Sequence, residues 1–220
     1  MIQDVLLIDK PSGMTSHDVV DHIRCVAGEK RVGHAGTLDP LATGLLIILI
    51  GRNATKRQSE FLHLDKVYEC TAQLGITTDT YDIEGQVATQ AEWVQLQSIA
   101  KHAVEDVLQK FVGKIQQRVP AYSAVKVAGQ KLYKKARRGK VKVKDLPIKT
   151  VEIFSLHLTD FQKNAQEEKI FFSFTVHCSS GTYIRSLVHD VGQQLKVGAT
   201  VTQLRRVKIG AFDVKFAQKL

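Results

Sequence analysis

Residues 33–50 read GHAGTLDPLATGLLIILI, a glycine-rich stretch that runs into six consecutive aliphatic residues. Six is far short of the roughly 20 apolar residues that cross a bilayer, and Gly51 and Arg52 end the run at once. LLIILI at 45–50 therefore reads as a buried strand, and any fold for this chain has to cover it. The part before it holds Gly33, Gly36 and Gly44, a lone carboxylate Asp39 followed by Pro40, the histidine His34, and no lysine or arginine. Glycine permits tight turns and close backbone approach. Proline biases the residue before it away from helical dihedrals. Two readings follow: an Asp-Pro turn between two apolar elements, or a loop that presents one acid at a defined place.

Charge separates function classes better than composition does. The 220 residues carry 31 lysines and arginines against 22 acids, a net charge of +9. Nine of those bases lie between Lys126 and Lys144: Lys126, Lys131, Lys134, Lys135, Arg137, Arg138, Lys140, Lys142 and Lys144. That segment has no acid, and without it bases and acids balance. A polyanion, most simply nucleic acid, is the expected partner. A solvated charge run is the alternative, but Leu132 and Tyr133 interrupt the charges and favour a folded segment. Cys25, Cys70 and Cys178 are odd in number and far apart, so neither a disulfide framework nor a zinc site is expected. A reducing cytoplasm fits them. The N-terminus MIQDVLLIDK lacks a basic region followed by an apolar one, so no signal peptide is expected.

Along the chain, DVLLIDK (4–10) reads as a strand and KPSGMTS (10–16) as a turn, with Ser16 capping a helix near 17–27. Asn53 caps a short helix through Leu62. KVYECTAQLG (66–75) alternates, with Tyr68, Cys70, Ala72 and Leu74 on one face. TTDTYDIEG (77–85) is a polar connection. Residues 97–112 form a helix by their apolar spacing, and 113–120 are extended. Strands follow at 149–159 and 168–178, then CSSGTYIRSLVHDVGQQL, which starts as a turn and becomes a helix with Ile184, Leu187, Val188 and Val191 as its stripe, then a final strand or strand pair. Strands outnumber helices without strict βα alternation. The expected fold is α+β, a single domain over 1–220 with a mixed, mostly antiparallel sheet.

Three chemical motifs fail on spacing. PSGMTS lacks the P-loop pattern. No G-x-S-x-G elbow supports a serine triad. CSSGTYIR has six residues between Cys178 and Arg185, where a thiol phosphatase loop uses five. GHAGTLDPLATGLL, by contrast, closely resembles the catalytic loop of the TruB-type tRNA pseudouridine synthases. Four more stretches agree in the family's order: KPSGMTS at 10–16, KVYEC at 66–70, PAYSAVKVAGQKLYKKAR at 120–137, and GTYIRSLVHDVG at 181–192 with LRR at 204–206.

The resemblance implies the pseudouridine synthase fold and an isomerase that turns uridine into pseudouridine in the T loop of tRNA, at position 55. The N1–C1′ bond breaks, the base turns over, and C5 bonds to C1′. No redox or group-transfer step is involved, so neither cofactor nor metal is expected. By resemblance Asp39 is the catalytic carboxylate, as nucleophile or as charge stabiliser. Arg185 is its cationic partner. Tyr68 stacks on the flipped base, His34 displaces it, and Tyr183 and Leu204 line its pocket. The basic insertion at about 122–147, with Lys126, Lys131, Lys134, Lys135, Arg137, Arg138 and Lys140, binds tRNA phosphates. Relatives usually continue into a small RNA-binding PUA domain, for which a chain ending at Leu220 leaves no room. Lys196 and Arg118-Val119 also depart from the family pattern. A monomer without an obligate protein partner is expected. The rival from another class, a non-catalytic tRNA-binding or tRNA-folding module, has no need of Asp39 together with Arg185.

Overall fold

The computed structural model describes residues 4–127, 129–139, 141 and 143–220. In chain order it runs β1 (Val5–Lys10), α1 (Ser16–Ala27), β2 (Val32–Ala35), β3 (Thr43–Ile50), α2 (Gly51–Lys56), α3 (Gln58–Leu62) and β4 (Lys66–Leu74). Next come β5 (Ile76–Thr78), β6 (Val87–Gln90), α4 (Trp93–Leu96), α5 (Lys101–Gln109), β7 (Gly113–Arg118), β8 (Lys126–Val127), β9 (Gln130–Lys131) and α6 (Leu132–Ala136). The chain closes with β10 (Ile148–Asn164), β11 (Lys169–Cys178), α7 (Ile184–Gln194), β12 (Ala199–Ile209), β13 (Phe212–Asp213) and β14 (Gln218–Lys219). Two compact units divide it. The first holds the chain to Glu69, Val176–Ser180 and Gln203–Leu220; the second holds Cys70–Thr175 and Gly181–Thr202.

The first unit is built on β3. β1 pairs antiparallel with it along Gly44–Leu49. On its other edge β2 pairs antiparallel with Ile47–Ile50, and β12 pairs parallel with Thr43 and Gly44. Successive side chains of a strand point to opposite faces. Leu46, Ile48 and Ile50 therefore join Ile8, Val19, Val20, Ile23 and Val32 on the α1 side. Leu45, Ile47 and Leu49 join Ala35, Ala54, Phe61 and Ile209 on the other. That is why LLIILI is apolar at every position: both faces are covered. Its burial contributes on the order of 10 kcal/mol before chain entropy is counted.

Two local expectations shift. Thr15 caps α1, not Ser16: the Asp18 N–H donates to Thr15 Oγ1 at 3.1 Å and the Thr15 N–H to Asp18 Oδ2 at 2.8 Å. The Ser16 hydroxyl is engaged elsewhere, as described below. The short helix expected from Asn53 begins at Gly51 and breaks at Arg57 into α2 and α3.

In the second unit the strand order is β12-β4-β11-β10-β7, with β5 and β6 as a separate hairpin around the TDTYDIEG connection. The alternation expected for β4 holds, with Tyr68, Cys70, Ala72 and Leu74 all buried. Of the helix expected over 97–112, only Lys101–Gln109 is helical, as α5; Ala100 before it is extended (φ −104°, ψ 159°), and the short α4 ends at Leu96, ahead of the expected range. β7 and β10 are antiparallel neighbours, with Arg118 opposite Ile148. The basic segment thus leaves and rejoins the sheet at one place, and a Val119 N–H to Pro147 O bond of 2.9 Å closes its base. It folds as the β8–β9 hairpin and α6 over Val119, Leu132 and Leu146. Parallel pairing at β1/β14 and β3/β12 amid antiparallel neighbours gives the mixed, mostly antiparallel sheet of an α+β fold.

Candidate active site

Asp39 lies in the loop 36–42 between β2 and β3. This loop is held from several sides. The Leu38 N–H donates to Ser16 Oγ at 2.8 Å, and Ser16 Oγ donates to Leu38 O at 3.2 Å. Lys10 Nζ donates to Pro40 O at 3.2 Å, and to Pro11 O and Met14 O at 2.8 and 2.7 Å. The Gly13 N–H also reaches Pro40 O at 2.9 Å, and Ser12 Oγ reaches Leu41 O at 3.1 Å. The KPSGMTS turn is therefore the brace of the Asp39 loop, a role its sequence did not disclose. Behind the loop, Arg206 donates to Gly36 O at 3.0 Å and Leu45 O at 2.8 Å. The Ala42 N–H donates to Asp39 O at 3.1 Å and turns the chain directly after the acid.

His34 and Tyr68 belong to the same unit. His34 is not in the turn but on β2, opposite Ile48, with its Nδ1 buried and unpartnered. Burial lowers its pKa, and the charges of Arg206 and then His17 add to the effect. Its imidazole is accordingly neutral. Tyr68 is 9% exposed. Burial raises its pKa; the Arg206 guanidinium opposes this through its charge and a hydrogen bond, and the Asp39 carboxylate reinforces it. Tyr68, Asp39 and Arg206 thus share one electrostatic neighbourhood, and the phenol stays protonated. Leu204 is buried on β12, next to Arg205, which grips Asp9 with two bonds of 3.0 and 2.7 Å.

Arg185 and Tyr183 lie in the second unit. Arg185 is 6% exposed, although helical spacing alone places it beside the apolar stripe of α7. Its guanidinium meets Asp82 Oδ2 at 3.3 Å and donates to Thr80 O at 2.7 Å and Tyr122 O at 3.0 Å. Asp82 in turn accepts from Thr80 Oγ1 at 2.7 Å and from the Glu84 N–H at 3.2 Å. Sequence reasoning missed Asp82; its signal was an acid-rich TDTYD connection that carried no motif of its own. Tyr183 packs against the apolar cluster under the basic segment, and its backbone makes two bonds to the Gln117 amide. Of the basic residues, Lys126, Lys131, Lys134, Arg137 and Arg138 are exposed, and Lys135 is half-buried with its ammonium on Val127 O. Lys140 lies outside the described residues. Cys178 is fully buried, with its thiol on Lys66 O, which disposes of a thiol-phosphatase reading.

Comparison with known proteins identifies the family of the chain. The profile of the TruB family pseudouridylate synthase N-terminal domain matches residues 24–184, and that of the tRNA pseudouridylate synthase B C-terminal domain matches 185–219. The tRNA pseudouridine synthase B of Corynebacterium jeikeium (strain K411) is 43% identical over 98% of this chain and 69% of its own length. That of Caldicellulosiruptor saccharolyticus is 44% identical over 98% of this chain and 70% of its own. Among solved structures, a chain of a Cbf5-Nop10-Gar1 complex superposes with a TM-score of 0.70 at 28% identity, covering 98% of this chain. This chain spans 52% of that one. The matched residues include the Asp39 loop and the Arg185 helix, and the chain belongs to the TruB family of pseudouridylate synthases.

Proposed function

We propose that the protein isomerises uridine to pseudouridine in the T loop of tRNA, with Asp39 as the acting carboxylate. The observation that carries the reading is the Asp39 loop itself. It is built of small and apolar residues, braced by Ser16, Lys10 and Arg206, and its one acid acts electrostatically on a buried tyrosine. The relatives named tRNA pseudouridine synthase B support tRNA as the substrate.

The reaction breaks N1–C1′, forms C5–C1′, removes the C5 proton and protonates N1. Positive charge develops at C1′ as the first bond breaks. A carboxylate held against that carbon either adds to it or stabilises the charge. The target uridine first leaves its stack, at a cost of a few kcal/mol. A protonated, buried Tyr68 offers an aromatic face that returns roughly 1–3 kcal/mol. His34, neutral on β2, is assigned to displacing the base, and Leu204 to lining its pocket. Arg185, which meets Asp82 and two carbonyls, is assigned by its family motif as the cation for the catalytic acid. The basic segment carries phosphate contacts. The protein is taken to act as a single chain.

The test is a map of pseudouridine in an unmodified tRNA transcript after incubation with wild type, Asp39→Asn and Cys178→Ser. Product is expected at the T loop with wild type and Cys178→Ser, and none with Asp39→Asn, which should still bind tRNA. Product formed by Asp39→Asn at the wild-type rate would remove Asp39 from the mechanism.

A further inference from the structure

Arg206 is the largest fully buried side chain among the described residues, at 1% exposure. Burying a guanidinium is costly unless its donors are met and its charge is used. Its donors meet Gly36 O and Leu45 O, which flank the Asp39 loop on its two sides. Its backbone holds the same loop: Arg206 lies opposite Gly44 in the β3/β12 register. Gly36 and Gly44 both have positive φ, +90° and +99°. A Cβ at Gly44 would come within 2.3 Å of Arg206 O, and one at Gly36 would touch Nη1 at 3.5 Å. Both ends of the loop are therefore glycines fitted to one arginine. The same guanidinium acts on Tyr68 and His34.

We propose that Arg206 is a positioning residue for the isomerisation: its planar fork ties Gly36 to Leu45, and so fixes where the Asp39 carboxylate stands relative to Tyr68. This rests on the reading of Asp39 as the acting carboxylate. A neutral donor could satisfy one carbonyl, and a lysine could bring charge to one point. Only a guanidinium bridges two carbonyls at a fixed spacing while keeping its charge beside the tyrosine.

The experiment compares Arg206→Lys, Arg206→Gln and Asp39→Asn with wild type, all as the full chain. It measures thermal unfolding, tRNA Kd, KM and the single-turnover rate, and follows the His34 Cε1–H titration by NMR. Arg206→Lys is expected to fold, to keep its tRNA Kd and KM within about threefold, and to lose about 10-fold to 100-fold in single-turnover rate, the scale of a small misplacement of a reacting group. Arg206→Gln is expected to lose more, and its His34 should titrate at a higher pH than in wild type and Arg206→Lys, because the neighbouring charge has gone. If Arg206→Gln does not fold, Arg206→Lys carries the test alone; failure of both to fold would reduce Arg206 to a folding residue and overturn the proposal. So would a wild-type rate in Arg206→Lys, or a rate loss matched by an equal rise in Kd. An active Asp39→Asn would instead overturn the reading of Asp39, a separate and recognisable outcome.

Discussion

Three buried cations in the first unit show how one kind of group is put to different uses. Lys10 is 0% exposed and places its ammonium among three carbonyls, two of its own turn and one of the Asp39 loop. Arg206 bridges the two ends of that loop. Lys66 is 6% exposed and donates to Leu62 O and Leu64 O at the end of α3. Burial presses the Lys66 ammonium down from 10.5 to about 8, with the charge of Arg206 adding. The unfolded chain thus keeps a proton on Lys66 that the folded chain has given up between about pH 8 and 10.5. Stability from this residue consequently rises with pH across that window. In Lys66→Met the rise should vanish. Urea unfolding near pH 7 and near pH 10 should show the wild type gaining roughly 2 kcal/mol on the variant as pH increases. An unchanged difference between the two would mean that Lys66 is not held down by burial. None of these three roles was legible in the sequence, because a lysine or arginine in a strand reads as a surface residue until its neighbours are known. Asp39, Tyr68 and Arg185 could be singled out in the sequence because their motifs resemble those of one family; Asp82, in a connection without a motif, could not.

At the level of elements, periodicity reports where apolar faces lie and is silent on where the chain turns. The buried strand LLIILI, the alternation of β4 and the stripe of α7 could all be read directly. The helix over 97–112 was legible only in its middle, because the apolar spacing of Val104, Val107 and Leu108 continues through Ala100, which is extended, and Phe111, which lies in the turn after α5. The basic segment is the opposite case. Its interruption by Leu132 pointed to a folded segment, and Leu132 is 3% exposed and seats α6 on Val119 and Leu146. Because the segment leaves and rejoins the sheet at Arg118 and Ile148, it can loosen without disturbing the β7/β10 ladder. Leu132→Ala should therefore cost about 2 kcal/mol or more locally, through the cavity it leaves. Amide exchange should quicken at 130–137 and stay unchanged in β3 and β11, and tRNA should bind more weakly. Equal acceleration in β3 would show that the segment and the main sheet unfold together. In the wild type, tRNA should slow exchange in the segment; equal rates with and without tRNA would count against its ordering on the RNA.

For the molecule as a whole, the decisive quantity is the placement of charge. The net +9 is carried by one short segment, and the rest of the chain is balanced. Among the described residues six of its bases, Lys126, Lys131, Lys134, Arg137, Arg138 and Lys144, are exposed, while Lys135 is drawn back onto Val127 O. Lys131 and Arg137 also lie over the Tyr133 ring, 5.8 and 5.6 Å from its centroid, so their heads are partly ordered before any RNA arrives. Each base that neutralises a phosphate releases a counterion, and the logarithm of affinity then falls with the logarithm of salt by roughly 0.7–0.9 per contact. Replacing Lys134, Arg137 and Arg138 together by glutamine should weaken tRNA binding steeply at low salt and lower the magnitude of that slope by about 2–3. The single-turnover rate at saturating enzyme should stay within about threefold of wild type, since the proposed reading gives these groups a part in binding and none at C1′. Asp39→Asn should give the mirror image, an unchanged salt slope with no product. A triple variant that kept its slope would move the phosphate contacts off this segment. A triple variant that kept its slope but lost its rate would make the segment part of the catalytic apparatus, not its anchor on the RNA.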